Sequence, residues 1–313
     1  MSHHHHQVGA DKNCAKKDEK NTNAVSKPRP LPLMVKLLAA GFKIVGMVAP
    51  KLAGWYAYRL WFKTRRYKTP ASERDALHSA LIERHKINGQ TIVTYQWGQS
   101  GPRVLLVHGW SGRGTQLGSL VPPLLAAGYQ VLSFDEPAHG ASTGKQTNVY
   151  EIADVMLALQ KHYGNFAAAI THSFGGPCLT TAMNKGLSVL RVVSISPPLH
   201  AQGLVNKFIA ALSIPKNVEH DLLRRIEHRF GKNVWQEISM QTNVRGLNIP
   251  ALVLHDMDDH DVSWRDGESV AKAWNNAKFI ATQKLGHRRI LRDPFAIATA
   301  VDFIKAGGCV GTR

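Results

Sequence analysis

The sequence predicts an α/β fold in which a mostly parallel central sheet lies between layers of helices, and three observations predict it. From about residue 88 onward, short β-rich runs alternate with longer stretches of helical spacing. Several of the short runs are apolar almost throughout, which marks strands buried on both faces. Each run closes on polar or small residues, and in such sheets ligands bind beyond the carboxyl ends of the strands.

The strand candidates are TIVTYQWG at 91–98, RVLLVHG at 103–109, YQVLSFD at 129–135, AAAITHS at 167–173, LRVVSIS at 190–196, IPALVLH at 249–255 and AKFIAT at 277–282. They assign a core to 88–196 and 250–306, with a short tail at 307–313. The 53 residues at 197–249 are helical in spacing and form a candidate cap. In it Phe208, Leu212, Phe230 and Trp235 either line a cleft or fasten the cap to the core.

The 313 residues carry 39 Lys and Arg against 22 Asp and Glu, but 14 of the bases and only 3 of the acids fall in residues 1–70. The basic surplus therefore belongs mostly to the N-terminal segment, not to the core. Residues 1–30 read as a disordered tail that opens on a four-histidine tag or tag-like run, with no apolar signal-peptide core. Residues 31–87 read as a helical arm. Its tract LPLMVKLLAAGFKIVGMVAPKLAGWYAYRLWFK places Lys36, Lys43 and Lys51 seven and eight apart, on one stripe of an otherwise apolar helix. Such a helix suits an anionic membrane surface or packs its apolar face on the core, and its charges argue against a span. Three widely spaced cysteines, Cys14, Cys178 and Cys309, support neither a disulfide framework nor a zinc site. A cytoplasmic protein, peripheral on the inner face of the membrane where the arm touches lipid, is the expectation, with no nucleic-acid partner.

The strand ends carry the chemistry. In AAITHSFGG the run turns at Ser173, and Gly175 gives the room that a sharp strand-to-helix turn needs while it lifts the serine clear of the sheet. A serine before a helix is also a common N-cap. What favours a nucleophile is the order of the partners behind it: the carboxylate cluster HDMDDHDVS follows a strand, and LGHRRILRDP then places His287 28 residues beyond Asp259.

With these residues in place the chain resembles the α/β-hydrolase superfamily, in its serine esterase, lipase and proline-iminopeptidase-like branch. LLVHGW resembles the family's strand followed by His-Gly-X. FDEPAHGAS resembles its D-x-P-G-H-G-x-S stretch, with Ala138 for glycine. VLHDMDDHDV resembles its acid loop, with Asp256 where glycine is usual, and GHRRIL resembles its histidine loop. Thr171 stands where the elbow pattern has its first glycine. The resemblance implies an α/β-hydrolase fold and a Ser173 nucleophile, with His287 as base and then acid. The spacing to His255 and Val262 selects Asp259 to orient the imidazole, with Asp258 in reserve. Most of the four carboxylates are expected to face solvent or basic groups such as Arg265, Arg288 and Arg289, because they would repel one another if packed together. The backbone N–H groups of Trp110 and Phe174 are the implied oxyanion donors.

The activity implied is hydrolysis of a small-molecule carboxylic ester or thioester through an acyl-enzyme. Acyl transfer and carbon–carbon bond hydrolysis use the same three residues. A non-catalytic binding protein on the same scaffold is the remaining class, and the intact Ser, Asp and His argue against it. No cofactor is expected. His108, His139, His172 and His255 fall at different strand ends without close ligand spacing, so they read as braces of loop backbone and not as a metal site.

Overall fold

A computed structural model describes residues 33–307. The four-histidine start, the lysine-rich stretch behind it, Cys14, Cys309 and nearly all of the short C-terminal tail lie outside the described residues. Among the described residues eight strands make one sheet: β1 (Leu81–Ile87), β2 (Gln90–Trp97), β3 (Arg103–Val107), β4 (Gln130–Phe134), β5 (Ala168–His172), β6 (Val192–Ile195), β7 (Ala251–Asp256) and β8 (Ala277–Thr282). Their order is β1-β2-β4-β3-β5-β6-β7-β8. β2 runs against β1 and β4, and the other neighbours are parallel.

Helices α1 (Leu33–Val48), α2 (Pro50–Trp61) and α3 (Arg74–Ser79) precede the sheet. Within it, α4 (Val121–Ala126), α5 (Val149–Tyr163) and α6 (Gly175–Asn184) connect strands. Helices α7 (Ala201–Ala211), α8 (Lys216–Phe230), α9 (Val234–Glu237) and α10 (Met240–Asn243) lie between β6 and β7. The chain then adds α11 (Trp264–Ala273), α12 (Gly286–Arg289) and α13 (Pro294–Lys305).

The central strands are buried from end to end, so their side chains feed two cores in alternation. Val104 and Leu106 of β3 join Leu120, Leu124, Ala300 and Ile304 on one face. Leu105 and Val107 join Ile152, Met156, Leu179 and Val270 on the other. Strand β1 departs from the expectation that 31–87 is a helical arm. Its sequence LIERHKI pairs with β2 alone, from Leu81 opposite Gln96 to Ile87 opposite Gln90, and none of its residues is fully buried. An edge strand wetted on both faces carries no apolar run to announce it.

The arm itself ends at Trp61 and builds a third core with the helices between β6 and β7. Phe42, Ala53, Ala57 and Phe62 pack there with Val205, Leu212, Val218, Leu222 and Ile226. Two glycines set the closeness of this contact. A Cβ on Gly46 would stand 2.9 Å from Val218 Cγ2, and one on Gly54 would meet the Asp221 carboxylate. That carboxylate is itself held by Arg224 and Arg225 at 2.6 Å each, so it has little freedom to retreat. Beyond α2 the chain is tied across the loop after β4, where Thr64 Oγ1 donates to the Ala138 carbonyl (2.7 Å) and Thr147 N donates to the Phe62 carbonyl (3.1 Å). Among the described residues no helix is long and apolar enough to cross a membrane.

Gly54→Leu forces α2 away from α8. Overpacking of this kind costs about 1–3 kcal/mol, so thermal unfolding is expected at a lower temperature than in the wild type, whereas Gly203→Ala, at a position with open space around it, is expected to leave the unfolding temperature nearly unchanged.

Candidate active site

Ser173 sits at the turn from β5 into α6 with φ of +51°, a conformation few non-glycine residues adopt. The surroundings hold it there. Its N–H donates to the Ile195 carbonyl (2.9 Å), and Gly175 lets the turn pass under β3, where a Cβ would lie 2.7 Å from the Val107 and His108 carbonyls. Gly176 is equally confined, since a Cβ there would stand 2.8 Å from Met240 Sδ. Thr171, in the place where the elbow pattern has glycine, is accommodated inside the strand, its hydroxyl 3.1 Å from Ser194 Oγ.

His287 lies on the one-turn helix α12, after Gly286 at φ +65°. Its Nδ1 is 2.7 Å from Asp259 Oδ2. Asp259 Oδ1 accepts from the N–H groups of Asp261 (2.9 Å) and Val262 (2.8 Å), and Oδ2 also lies 3.2 Å from His255 Nε2. Burial alone would raise the carboxyl pKa. Hydrogen bonds from His255 and His287 and the Val262 amide outweigh it and hold the group ionised far below the usual carboxylate range.

His172, next to the serine, is buried, and its Nε2 lies 2.9 Å from the His287 carbonyl. The two imidazoles are 4.6 Å apart between centroids. Burial, then the neighbouring His287, pushes the pKa of His172 down to about 3, so the ring is neutral and donates to that carbonyl. It braces the backbone of His287. His172 thus links Ser173, its neighbour in the chain, to the Asp259–His287 pair, but among the described residues no hydrogen bond joins the serine to the imidazole. Among the described residues the Ser173 hydroxyl has no hydrogen-bond partner.

Of the other carboxylates of the acid loop, Asp258 and Asp261 are exposed, as expected, but Asp256 is not. Asp256 is fully buried at the end of β7. Its Oδ1 accepts from Gly286 N (2.8 Å) and Asp258 N (3.0 Å), its Oδ2 from Thr282 Oγ1 (2.7 Å) and Leu285 N (3.2 Å). Against the upward push of burial, these donors depress its pKa. Asp258 Oδ2 accepts from Lys284 N (2.7 Å). Both therefore pin the loop that carries His287. Arg289 instead caps the Leu285 and Lys284 carbonyls, and Arg265 lies over Trp264. Sequence reasoning missed Asp256 because it stands where the acid-loop pattern has glycine; the signal available was a carboxylate at the end of an apolar strand.

Trp110 and Phe174 face each other with ring centroids 5.0 Å apart. Among the described residues neither backbone N–H has an acceptor. Beneath them the loop is braced by histidines. His108 Nδ1 donates to the Gly109 carbonyl (2.8 Å) while Nε2 accepts from Glu136 N (3.1 Å), and His139 Nδ1 donates to the Pro137 carbonyl (3.0 Å) while Nε2 accepts from Ser111 N (2.9 Å). Burial lowers their pKa values to about 4 and about 3. Glu136 lies between them, and burial pushes its carboxyl well above the ordinary value, toward the neutral acid. These three are near enough to share a metal ion, but all four ring nitrogens are already committed. Glu83, His85 and His162 form a second such group near the edge strand, where Tyr163 bonds both Glu83 and His85 at 2.7 Å.

Ser173, Phe174, Trp110 and Ser111 open into a cavity of about 450 Å³, within the range of about 300–1,000 Å³ usual for small-molecule sites. Its remaining wall comes from α1 (Val35, Leu38), from the end of α2 and the segment after it (Leu60 to Lys63, Arg65), from the approach to α5 and its first turn (Thr147 to Tyr150), and from the chain and helices between β6 and β7. Phe208, Leu212, Phe230 and Trp235 line it and also belong to the third core, so the two readings of these residues are one.

The model of the alpha/beta hydrolase family matches residues 104–300. No curated protein matches the sequence. Among solved structures the chain resembles an esterase from Rhodococcus sp. ECU1013 (19% identity over 74% of this chain and 100% of that one, TM-score 0.57). It also resembles a meta-cleavage product hydrolase from Pseudomonas fluorescens IP01 (14% identity, 72% and 98% covered, TM-score 0.55). A membrane phospholipase A described as a bacterial virulence factor is similar over 87% of this chain and 96% of its own (15% identity, TM-score 0.58). At such identities these are likenesses of fold.

Asp256→Asn keeps the shape but replaces an ionised acceptor of four donors. A hydrogen bond to a charged group contributes about 1.5–3 kcal/mol, so chemical denaturation at pH 7 is expected to show a loss of that order. Because the folded pKa of Asp256 lies below its unfolded value, its contribution is full above the ordinary carboxylate range and is lost as pH falls through the folded pKa. The difference between wild type and variant is therefore expected to shrink as denaturation is repeated at pH values below about 4.

Proposed function

Because the chain belongs to the alpha/beta hydrolase family, we propose that it is a serine hydrolase of carboxylic esters or thioesters, with Ser173 as nucleophile. The observation that carries this reading is the Asp259–His287 hydrogen bond of 2.7 Å beside a serine held at positive φ in the cavity wall. A serine hydroxyl attacks only when a neighbouring base takes its proton. His287, with Nδ1 directed at Asp259, leaves Nε2 to do so. Such sites often lack the serine–imidazole hydrogen bond before substrate binds, and its absence between Ser173 and His287 among the described residues fits that state.

Attack of Ser173 Oγ on the acyl carbon creates an oxyanion, for which the free N–H groups of Trp110 and Phe174 are the donors. Losing one such donor costs about 2.7–4 kcal/mol of barrier. His287 then protonates the leaving alcohol or thiol, and water, deprotonated by the same imidazole, releases the acid from the acyl-enzyme. His172 is a positioning residue that fixes the His287 backbone. The helices at 197–249, together with α1 and α2, act as the cap that excludes water.

The partner surface supported by the arm is an anionic membrane. Leu33, Leu37, Ile44 and Val48 recur at spacings of four, seven and four on the outward stripe of α1 and are 58–81% exposed together with Leu52 of α2. Lys36 and Lys43 flank that stripe, while Val35, Leu38, Phe42 and Val45 face inward. An apolar stripe edged by cations is the pattern of an interfacial helix.

A fluorophosphonate probe is expected to label the wild type at Ser173 and not to label Ser173→Ala, as read by mass spectrometry; well-folded wild-type protein that stays unlabelled would falsify the hydrolase reading and leave a binding module. Asp259→Asn is expected to lower kcat by about 10⁴ on p-nitrophenyl esters, as loss of the orienting carboxylate does elsewhere. In co-sedimentation, phosphatidylglycerol vesicles are expected to retain the wild type, and Leu37→Glu combined with Ile44→Glu is expected to release it. Equal retention of both proteins would count against the membrane surface.

A further inference from the structure

From Lys20 through Ser72 the chain carries eleven Lys and Arg and no Asp or Glu. Two of these cations, Lys63 and Arg65, line the cavity that holds Ser173. Among the described residues no carboxylate lines it, and neither cation has a side-chain partner. The remaining ionisable side chain in the wall, Tyr150, has its hydroxyl committed to Glu237 Oε2, to which it donates (2.8 Å). The rest of the surface is mostly aliphatic and aromatic, with Leu204, Phe208, Ile226 and Val234 among its members.

The cations have a definite place relative to the reacting bond. Arg65 N donates to Ser111 Oγ (3.1 Å), and Ser111 directly follows Trp110, whose N–H is an oxyanion donor in the proposed reaction. The Arg65 backbone is therefore tied to the residue that follows the proposed oxyanion donor, and Lys63 precedes it by two on the same segment. An apolar wall rejects an unpaired charge strongly, so an anionic group can reside only at this end. A guanidinium grips phosphate or carboxylate in a fork while an ammonium adds a point charge.

We infer that the substrate is a fatty acyl ester or thioester whose leaving group carries an anion such as phosphate, the acyl chain lying in the apolar cavity and the anion held by Lys63 and Arg65. This rests on the reading of Ser173 as nucleophile. Ser173 Oγ bonds to the acyl carbon, the C–O or C–S bond breaks, and the leaving oxygen or sulfur takes the serine's proton from His287. Water then splits the acyl-enzyme to a free fatty acid and restores the hydroxyl. The arm suits such an amphiphile, because the helix whose Val35 and Leu38 line the cavity turns Leu37 and Ile44 outward.

The test compares three acyl donors with the same chain, each in micelles of one neutral detergent: palmitoyl lysophosphatidylglycerol, palmitoyl-coenzyme A and monopalmitoylglycerol. The wild type is expected to show kcat/KM at least about tenfold higher for one or both phosphate-bearing donors than for the neutral glyceride, the factor one charge-assisted hydrogen bond supplies. Which of the two is preferred identifies a lipid headgroup or a nucleotide thioester as the source. High salt should erode the preference, and Lys63→Glu combined with Arg65→Glu should abolish it while fluorophosphonate still labels Ser173, showing that the variant is folded. A labelled wild type that cleaves all three equally, or cleaves none of them, overturns the inference and leaves the hydrolase reading intact. So does a preference that survives both the double substitution and high salt. If the wild type is not labelled at all, the hydrolase reading has failed, and this inference with it.

Discussion

Two carboxylates three residues apart, buried at the end of β7, are the constraint around which the site is arranged. Burying an ionised carboxylate costs several kcal/mol unless its lone pairs are occupied. Asp259 meets that demand with two backbone amides, His287 and His255, and Asp256 meets it with three amides and the Thr282 hydroxyl. The donors come from two separate loops. Satisfying the carboxylates therefore brings the chain at 282–287 against the chain at 256–262, and His287 is placed as a consequence. A third tie comes from β5, where the neutral ring of His172 holds the His287 carbonyl.

The serine side of the site is set by steric exclusion. Gly175 lies within Cβ-contact distance of the Val107 and His108 carbonyls, so any side chain there would lift the turn off β3 and carry Ser173 with it. Gly109 approaches from the opposite direction, since a Cβ on it would stand 3.1 Å from both His172 Nδ1 and Ser173 Cβ. Strain at Ser173 is tolerated because the surrounding strands over-determine its backbone. The nucleophile candidate is consequently placed by tight packing from two strand ends, and the histidine by polar saturation from two loops.

These two kinds of constraint differ in how well a sequence displays them. Central strands such as RVLLV and VVSI are visible because burial on both faces demands uninterrupted apolar residues, and an elbow is visible because its glycines have no substitute. Strand β1 was hidden because an edge strand with partner hydrogen bonds on one side needs no apolar face, and LIERHKI reads as well for a helix. Asp259 and His287 could be nominated from order and spacing. The anchoring role of Asp256 could not, because hydrogen bonds to backbone amides leave no trace in the identity of the donor residues. The arm was the least legible part. Its apolar inner face showed that it packs, but the surface it packs on is decided by Gly46, Gly54 and the shape of α8, which only tertiary structure brings together.

That placement changes what the arm is for. A helix lying on the outside of a sheet could be lost with little effect on a pocket elsewhere, but here α1 and α2 supply part of the cavity wall and the segment behind them supplies its cations. The same helix that closes the cavity with Val35 and Leu38 leaves Leu33, Met34, Leu37 and Ile44 exposed on its other side, at 60–72% of their surface. Exposed apolar side chains in such density are uncommon on a free surface and mark a place of contact. Since the outer stripe and the cavity share one helix, whatever rests on that stripe lies one helix diameter, about 10 Å, from the interior. Any shift of α1 on α8 that contact produces is then a change in the cavity wall itself, with no intervening structure needed to transmit it.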